Sequence, residues 1–333
     1  MRLHDIAIVG ASGLVGRKIL EVLAERDFPV GKVITIASDN SVGKEVFVKG
    51  NRYALQTLTN ETFKNIEFAF FSAGAAVSHE YAPIAAKDGC TVIDNSSAFR
   101  MAEDVPLVVP EVNRQDIFKH KGIIANPNCS TIQLVMALKP LDNQFKIKRV
   151  VVSTYQSVSG AGYKGISTLE AEIKGIDAQH QSRAFSHRIA YNALPQVDIF
   201  FDDGYTKEEY KMINETRKIL GKRDLDITAT CVRIPVIVGH SESVNIEFYK
   251  KVTPAGVKDT LRNFKGITVI DDPANNLYPM PIDSENRDDV LVGRIRQDNS
   301  VKNGINIWVV ADNVRKGAAT NAVQIAEEYL KGK

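Results

Sequence analysis

Near the start of the chain, a strand-like run, a glycine-rich turn and a helical pattern follow one another directly. Residues 6–9 are an apolar run typical of a buried strand, and residues 10–16 follow with the spacing GxxGxxG. Apolar side chains then recur with helical periodicity at Ile19, Leu20 and Leu23. Glycines in such a turn let the backbone approach a pyrophosphate, which then lies at the N-terminus of the helix. This stretch predicts a Rossmann-type nucleotide-binding fold.

Strand and helix patterns continue to alternate after this turn. Strands are predicted at residues 32–37, 68–74 and 91–94, and residues 77–87 have the periodicity of a helix. Alternation of this kind is typical of a sheet of parallel strands joined by helical crossovers. We therefore predict a doubly wound α/β domain that extends to about residue 127.

A second, strand-rich domain is predicted beyond it. Its strand patterns lie at residues 149–155, 228–232, 243–249, 291–296 and 304–310. Residues 313–330 then have the pattern of a helix with a face of small side chains, which we expect to pack on the first domain. The expected Rossmann domain therefore comprises residues 1–127 with 313–333. The expected catalytic and dimerisation domain, residues 128–312, is α+β with a mostly antiparallel or mixed sheet.

Composition excludes several classes of function. At 333 residues, with 44% hydrophobic and 25% charged side chains, the chain can form two ordinary cores. A formal charge of +2 without a long basic run makes nucleic acid and membrane surfaces unexpected partners. The cysteines, Cys90, Cys129 and Cys231, show no CxxC spacing, so neither a disulfide framework nor a metal site is expected. With no signal peptide or membrane-spanning run, we expect a cytoplasmic protein.

The sequence Asn-Pro-Asn-Cys-Ser-Thr at residues 126–131 carries the strongest chemical signal. Pro127 disfavours helix for the residue before it, and the asparagine and serine beside Cys129 are good helix-cap residues. The apolar run at 132–138 can then continue as a buried helix. At a helix N-terminus, the macrodipole and the backbone amides favour the thiolate form of a cysteine. We predict that Cys129 is a nucleophile rather than a small buried apolar residue.

The residues after the second predicted strand bear on the choice of cofactor. An NAD enzyme usually places an acidic residue there, where it binds the ribose hydroxyls. Ser38 and Lys44 could instead hold a 2′-phosphate, which Asp39 would repel if it pointed inward. The sequence favours NADP over NAD, the alternative being that this segment is only a solvated loop.

Three further residues could converge on Cys129. Gln156 supplies an amide, and Arg233 supplies a planar fork that suits a carboxylate. A histidine ordinarily titrates near neutrality, which suits His240 to proton transfer, although a histidine after an apolar stretch is more often a structural residue. Because the domain boundary falls at Cys129 itself, we expect the site in the cleft between the domains.

Several motifs in order resemble aspartate-semialdehyde dehydrogenases, close to the bacterial branch, along nearly the whole chain. They are Gly-Ala-Ser-Gly-Leu-Val-Gly at 10–16, Asp-Asn-Ser-Ser-Ala-Phe-Arg at 94–100, Val-Pro-Glu-Val-Asn at 109–113, Asn-Pro-Asn-Cys-Ser-Thr at 126–131, Thr-Tyr-Gln at 154–156, Ser-Gly-Ala-Gly at 159–162, and Arg-Ile-Pro with Gly-His-Ser at 233–241. Together they are specific, although any one alone is weak. Ser157, where the family pattern has alanine, is a departure.

The resemblance implies a role for each matching residue. Cys129 would be the acyl-accepting nucleophile, Gln156 its orienting neighbour and His240 the general acid/base. Arg233 would bind the substrate α-carboxylate and Glu208 the α-ammonium, with Glu209 and Glu215 as nearby alternatives. The implied pocket for the leaving phosphate consists of Ser97, Arg100, Asn128 and Lys211. The implied cofactor contacts are Gly10, Ala11, Ser12, Gly13, Leu14, Val15, Gly16, Ser38, Gly74, Gly160 and Asn313, to which the sequence adds Lys44.

The implied reaction is the NADPH-dependent conversion of L-aspartyl 4-phosphate to L-aspartate 4-semialdehyde through a cysteine thioester, in the synthesis of lysine, threonine and methionine. The family also implies a homodimer, for which residues 178–194 and the second-domain sheet could supply an interface. One alternative is an N-acetylglutamyl-phosphate reductase, in which an acidic partner at Glu208 would have no purpose. Another is a non-catalytic NADP-binding sensor, against which the intact set of Cys129, Gln156, Arg233 and His240 argues.

Overall fold

The structure, a computed structural model, describes residues 2–176 and 184–332. Part of the interface segment predicted at 178–194 therefore lies outside the described residues. The chain divides into a first unit of Met1–Asn128 with Ala318–Lys333 and a second unit of Cys129–Gly317. Asn128 thus lies in the first unit and residues 313–317 lie in the second. The sequence predicts domain boundaries after residues 127 and 312, which differ from these by one residue and five residues. Asn313 belongs to the second unit because its side chain accepts hydrogen bonds there, for example from the Gly239 N–H at 3.0 Å.

The first unit is built on a largely parallel sheet. Its strands are β1 (His4–Val9), β2 (Val30–Ile36), β3 (Glu45–Val48), β4 (Asn51–Gln56), β5 (Phe68–Phe71), β6 (Thr91–Asp94) and β7 (Ile123–Ala125). Among the described residues the strand order is β3-β4-β2-β1-β5-β6-β7, and only the β3–β4 pair is antiparallel. Without β3, this is the strand order of a Rossmann domain, as predicted.

Helices cover both faces of this sheet. They are α1 (Leu14–Glu25), α2 (Ala75–Lys87), α3 (Pro110–Asn113) and, from the end of the chain, α9 (Thr320–Lys331). Successive strand residues point to opposite faces, so Phe70 packs with Ile19 of α1 and Val323 of α9. The next residue, Phe71, packs with Ala82 of α2 on the other face. The last helix therefore packs on the sheet of the first unit.

The second unit is built on a mixed sheet. Its strands are β8 (Ile147–Gln156), β9 (Asp226–Arg233), β10 (His240–Phe248), β11 (Ile267–Val269), β12 (Val290–Asp298) and β13 (Gly304–Ala311). In the described part of the chain their order is β11-β12-β13-β10-β8-β9. The two outer pairs, β11–β12 and β8–β9, are parallel and the inner pairs are antiparallel, which confirms the predicted mixed sheet.

Helix α4 is the central helix of the second unit. The helices are α4 (Cys129–Phe145), α5 (Gly162–Ile173), α6 (Lys207–Leu220), α7 (Pro254–Arg262) and α8 (Pro281–Ser284). Residues 130–138 of α4 are all buried, because this helix packs against the sheet and against α6 and α7. Helix α6 begins with a capping box between Thr206 and Glu209. No helix within residues 2–176 and 184–332 combines the length and apolar character that crossing a bilayer requires.

Candidate active site

The predicted nucleophile lies at the start of a helix. Cys129 is the first residue of α4, where the positive end of the helix dipole favours a thiolate. Cys129 is partly exposed, whereas Cys90 and Cys231 are buried. Burial raises the pKa of Cys90 to about 12 and also raises the pKa of Cys231. Of the three cysteines, Cys129 therefore has the setting that suits a nucleophile.

A glycine lies directly against this cysteine. A Cβ atom at position 317 would be 3.0 Å from the Cβ of Cys129 and 3.3 Å from its Cα. Gly317 belongs to a short π-helical turn, Arg315–Ala319, a form that often occurs at functional sites. Its missing side chain leaves the space that the nucleophile occupies.

Three predicted site residues lie side by side on the second sheet. Gln156 at the end of β8 pairs with Arg233 at the end of β9. Ser241 of β10 pairs with Tyr155, so the same antiparallel register sets His240 opposite Gln156. Neighbouring residues in a register project to one face, so the three side chains form a single row. We call it the His240 row; its members are 7% exposed or less.

The environment of His240 fixes its tautomer. The backbone N–H of Ser157 donates to Nδ1 at 3.0 Å, and the Ser157 hydroxyl oxygen lies at the same distance from Nδ1. Because Nδ1 accepts a hydrogen bond, the neutral ring carries its proton on Nε2. Burial, and next the nearby Arg233 charge, lower the pKa of His240 from 6.5 to about 3, against the opposing effect of Glu208. His240 is therefore a neutral imidazole whose proton is on Nε2.

Arg233 is braced from several sides. One guanidinium N–H donates to the Ser157 carbonyl oxygen at 2.6 Å, and the guanidinium carbon lies 5.8 Å from the centroid of the Phe185 ring. Burial lowers the pKa of Arg233, while Glu208 and Cys129 act in the opposite direction. The Gln156 amide donates to Ser130, the residue after Cys129, so the nucleophile lies close to the His240 row.

Gln156 and Glu208 connect this row to helices α4 and α6. The Gln156 amide donates to Ser130 Oγ at 2.5 Å and to Glu208 Oε1 at 3.0 Å. Lys211 in turn donates to Glu208 and to Asp198, each at 2.9 Å. Burial lowers the pKa of Lys211, but the two carboxylates outweigh it and the pKa is raised. The predicted Glu208 and Lys211 therefore adjoin Gln156 as a charged pair.

Two residues predicted to contact the cofactor lie beside the His240 row. Asn313 Oδ1 accepts hydrogen bonds from the hydroxyls of Ser157 at 3.0 Å and Ser159 at 3.2 Å. A Cβ at position 160 would be 2.7 Å from an Arg233 nitrogen and 3.4 Å from His240 Nε2. Gly160 and Asn313 thus adjoin the His240 row, and their contact with a cofactor stays a prediction.

The other predicted phosphate-pocket residues belong to the first unit. Arg100 is buried and donates from Nε to the Asn126 carbonyl at 3.0 Å and from a terminal nitrogen to the Asn95 carbonyl at 2.8 Å. Ser97 is exposed, and Asn128 is 7% exposed. Within residues 2–176 and 184–332, no group of three or more His, Cys, Asp and Glu side chains is arranged to hold a metal ion.

Two family models match the chain. "Semialdehyde dehydrogenase, NAD binding domain" matches residues 5–120, and "Semialdehyde dehydrogenase, dimerisation domain" matches residues 138–316. The aspartate-semialdehyde dehydrogenase of Aquifex aeolicus is 57% identical over 334 residues, which cover 98% of each chain. That of Bacillus subtilis is 47% identical and covers 98% of this chain and 97% of the relative. The chain belongs to the aspartate-semialdehyde dehydrogenase family.

Solved structures of this family have the same fold. Aspartate semialdehyde dehydrogenase II from Vibrio cholerae, complexed with ASA, superposes with a TM-score of 0.95 at 46% identity, covering 99% of each chain. The Candida albicans aspartate semialdehyde dehydrogenase with NADP has a TM-score of 0.79 at 26% identity, covering 99% of each chain. The resemblance drawn from the sequence motifs and the predicted fold class are both confirmed.

An aspartate-semialdehyde dehydrogenase uses a nicotinamide cofactor, and the loop after β1 fits one. Gly10 has a φ of +93°, and a Cβ at position 16 would lie 2.2 Å from the Gly10 carbonyl oxygen. Gly13 caps α1 without a side chain, so the first-turn amides face the loop. The amides of Gly10 and Ala11 donate to Ile36 at the end of β2, which brings the segment containing Ser38 next to this loop.

Residues that the sequence did not single out support this dehydrogenase site. Asp198, with a left-handed φ of 70°, holds Lys211. Phe185 faces Arg233. Ser130, which the sequence indicates only as a helix-cap residue, accepts from Gln156. Asparagine and aspartate tolerate left-handed backbone, but such a position has no sequence signal of its own. Only contacts formed in the folded chain reveal these residues.

Proposed function

We propose that the enzyme catalyses the NADPH-dependent reductive dephosphorylation of L-aspartyl 4-phosphate to L-aspartate 4-semialdehyde through a thioester on Cys129. The observation that carries this proposal is the placement of a cysteine at a helix N-terminus, next to the serine that Gln156 contacts in the row of His240, Gln156 and Arg233. A nucleophile, a proton donor and a carboxylate-binding fork are the groups that this acyl transfer needs.

Acylation requires the thiolate form of Cys129. Its Sγ attacks the acyl carbon of the substrate, and the tetrahedral adduct breaks its carbon–oxygen bond to release phosphate. The resulting thioester accepts hydride more readily than a carboxylate does, so covalent catalysis divides one difficult reduction into two easier steps. When bound, the cofactor supplies the hydride to the thioester carbon. Expulsion of the Cys129 thiolate from the reduced adduct then releases the aldehyde.

His240 acts through its Nε2 proton. Since Nδ1 accepts from the Ser157 amide, Nε2–H is the group that can donate to the oxyanion of each tetrahedral adduct. The lowered pKa keeps the ring neutral, so the donor needs no prior protonation near neutral pH. Gln156 orients the start of α4 through its bond to Ser130. A positioned proton donor such as His240 typically contributes about 10²–10⁴-fold to the rate.

The charges around the row match an amino acid that bears an acyl phosphate. The Arg233 fork would bind the α-carboxylate, and Glu208 would bind the α-ammonium. Lys211 would bind the phosphate together with Ser97, Arg100 and Asn128. Its hydrogen bond to Asp198 would hold it in place when Glu208 binds the substrate instead of Lys211.

NADP is the proposed cofactor. Ser38 and Lys44 follow the end of β2, where a 2′-phosphate would lie, and both are exposed. We further propose a homodimer formed through the second unit, which matches the dimerisation-domain model, and a role in supplying lysine, threonine and methionine.

A steady-state assay tests the reaction. The protein is mixed with aspartate semialdehyde, phosphate and NADP, and reduced cofactor is followed by absorbance. We expect turnover that requires phosphate and is faster with NADP than with NAD. N-acetylglutamate semialdehyde serves as the matched control. Turnover with that control alone would reassign the substrate, and an absence of turnover with both would remove the proposed function.

A further inference from the structure

A carboxyl group that the mechanism does not use lies directly below the His240 row. Glu242 is two residues beyond His240 in β10, so both side chains point to the same face of the sheet. Glu242 pairs with Thr154 of β8 and with Val309 of β13, and Thr154 pairs with Cys231 of β9. These four residues form a second row, and each is 0% exposed.

Polar atoms meet across the gap between this second row and α4. Neither carboxyl oxygen of Glu242 and neither amide atom of Gln133 has a hydrogen bond of normal geometry within the described part of the chain, although all four atoms are buried. Burial raises the pKa of Glu242 well above its usual range, and the approach of the Gln133 amide lowers it only in part. Complete burial favours the neutral form of the Glu242 carboxyl group, and in that form it can donate to an amide oxygen and accept from an amide nitrogen.

The spacing along α4 matches the spacing along β10. Gln133 follows Cys129 by four residues, which places both on one face of the helix about 6 Å apart. Glu242 follows His240 by two residues in the strand, which is a similar distance of about 6.6 Å. At the His240 row, Gln156 donates to Ser130 beside Cys129. At the second row, Gln133 faces Glu242. The helix and the sheet therefore have polar contacts at both rows.

The face of α4 that carries Cys129 and Gln133 continues with apolar contacts. Met136 and Ala137 follow Cys129 by seven and eight residues and are 0% exposed. Such contacts stabilise the packing but are not directional, so they fix poorly where the helix lies along the strands. A buried polar pair is directional, and buried polar groups can specify one register among several.

We propose that Glu242 and Gln133 are positioning residues: they fix the position of α4 along β10 and so hold Cys129 at its working distance from the His240 row. The proposal rests on the proposed function, in which Cys129 reacts while His240 donates to the oxyanion. A displacement of about 1 Å from the reacting geometry can lower a rate by roughly 10².

The test uses four variants of the full chain. Glu242→Gln keeps a neutral hydrogen-bonding group of the same shape, and we expect a turnover number within about threefold of wild type. Glu242→Leu and Gln133→Leu each break the pair, and each should lower the turnover number at least about tenfold with little change in the KM for the cofactor. The double Leu variant should be no slower than either single variant, because all three lose the same pair. Thr154→Val in the same row is the matched control and should retain turnover.

A second readout does not depend on the reaction. The rate at which iodoacetamide alkylates Cys129, measured against pH in the wild type, Glu242→Gln and Glu242→Leu, reports the pKa of the thiol. If α4 moves along the sheet, the distance from Cys129 to the Arg233 charge changes, so we expect the Glu242→Leu profile to shift and the Glu242→Gln profile to match wild type. The melting temperature of the double Leu variant should equal or exceed that of wild type, because two buried polar groups become apolar.

Four results would overturn the proposal. The first is a wild-type turnover number and alkylation profile in Glu242→Leu, and the second is additive losses of turnover in the double variant. The third is a loss of turnover in Glu242→Gln as large as in Glu242→Leu, and the fourth is a lowered melting temperature with unchanged turnover in the double variant. An alkylation shift in Glu242→Leu, with no turnover by wild type, would support the positioning role and reject only the proposed function. If Glu242→Leu does not fold, Gln133→Leu and Glu242→Gln decide the matter by the same readouts.

Discussion

Replacing His240 by asparagine should remove one source of acid sensitivity from the fold. Burial lowers the pKa of His240 from 6.5 to about 3, with a further contribution from Arg233. Between these values the unfolded chain binds a proton that the folded chain does not. The free energy of unfolding therefore falls as the pH decreases below 6.5, and the full effect is reached only below about pH 3. His240→Asn has no such group and should lack this part of the pH dependence.

The expected size follows from the shift. At about pH 5, roughly 1.5 units below the pKa of the unfolded histidine, the effect is about 2 kcal/mol. Between about pH 7.5 and pH 5, wild type should therefore lose about 2 kcal/mol more than His240→Asn. Other titrating groups are shared by the two proteins and cancel in the difference.

Urea unfolding provides the measurement. The single tryptophan, Trp308, lies in β13 next to the strand that carries His240, so its fluorescence follows the same unit. Equal pH dependence in the two proteins would refute a buried, neutral His240. The same variant should lose roughly 10²–10⁴ in turnover number with a much smaller change in KM, because Nε2–H donates chiefly in the transition state.

Three other substitutions test separate parts of the site. Arg233→Lys keeps the charge but loses the fork, so the specificity constant should fall at least about tenfold at an unchanged melting temperature; a near-native constant would remove Arg233 from substrate recognition. Lys44→Ala should weaken NADP far more than NAD in binding titrations, and equal losses would show that Lys44 does not contact the 2′-phosphate. Gly317→Ala would place a Cβ 3.0 Å from that of Cys129, so the turnover number should drop by roughly tenfold while NADP affinity is retained; unchanged turnover would show that α4 yields without cost.

The fold was predictable where local chemistry decides it. The loop at 10–16 needs glycine because Gly10 has a positive φ and Gly16 packs on its carbonyl, so the spacing alone indicates the Rossmann start. The β3–β4 hairpin was missed. Its turn has positive φ angles at Lys49 (48°) and Gly50 (82°). Lysine is rare at such a position, so the sequence does not predict this turn.

The ends of elements were less predictable than their existence. A helix was expected over 313–330, whereas α9 begins at Thr320 after the π-helical turn. The apolar periodicity of residues 207–220 predicts an amphipathic helix, and α6 has those bounds, Lys207–Leu220. Its capping box and the left-handed Gly221 at its end fix those bounds locally. Where packing against Cys129 shapes the backbone, as at Gly317, periodicity carries no such information.

The residue types of the site were predictable, but their geometry was not. The setting of Cys129 between a proline and an apolar run indicated a helix start, and the structure has one. Nothing in the sequence gives the strand register that sets His240 opposite Gln156, since register depends on pairing between distant segments. The tautomer of His240 likewise depends on Ser157, which directly follows β8 and is distant in sequence.

The most direct test of the account is a single-turnover experiment in the oxidative direction without phosphate. The enzyme, aspartate semialdehyde and NADP should produce a burst of about one reduced cofactor per site, because the thioester then has no phosphate to discharge it. Mass spectrometry of the quenched protein should find the aspartyl group on the peptide that contains Cys129, and Cys129→Ser should give neither burst nor adduct. A burst that survives in Cys129→Ser, or an adduct on Cys90 or Cys231, would contradict the assignment of Cys129 as the nucleophile.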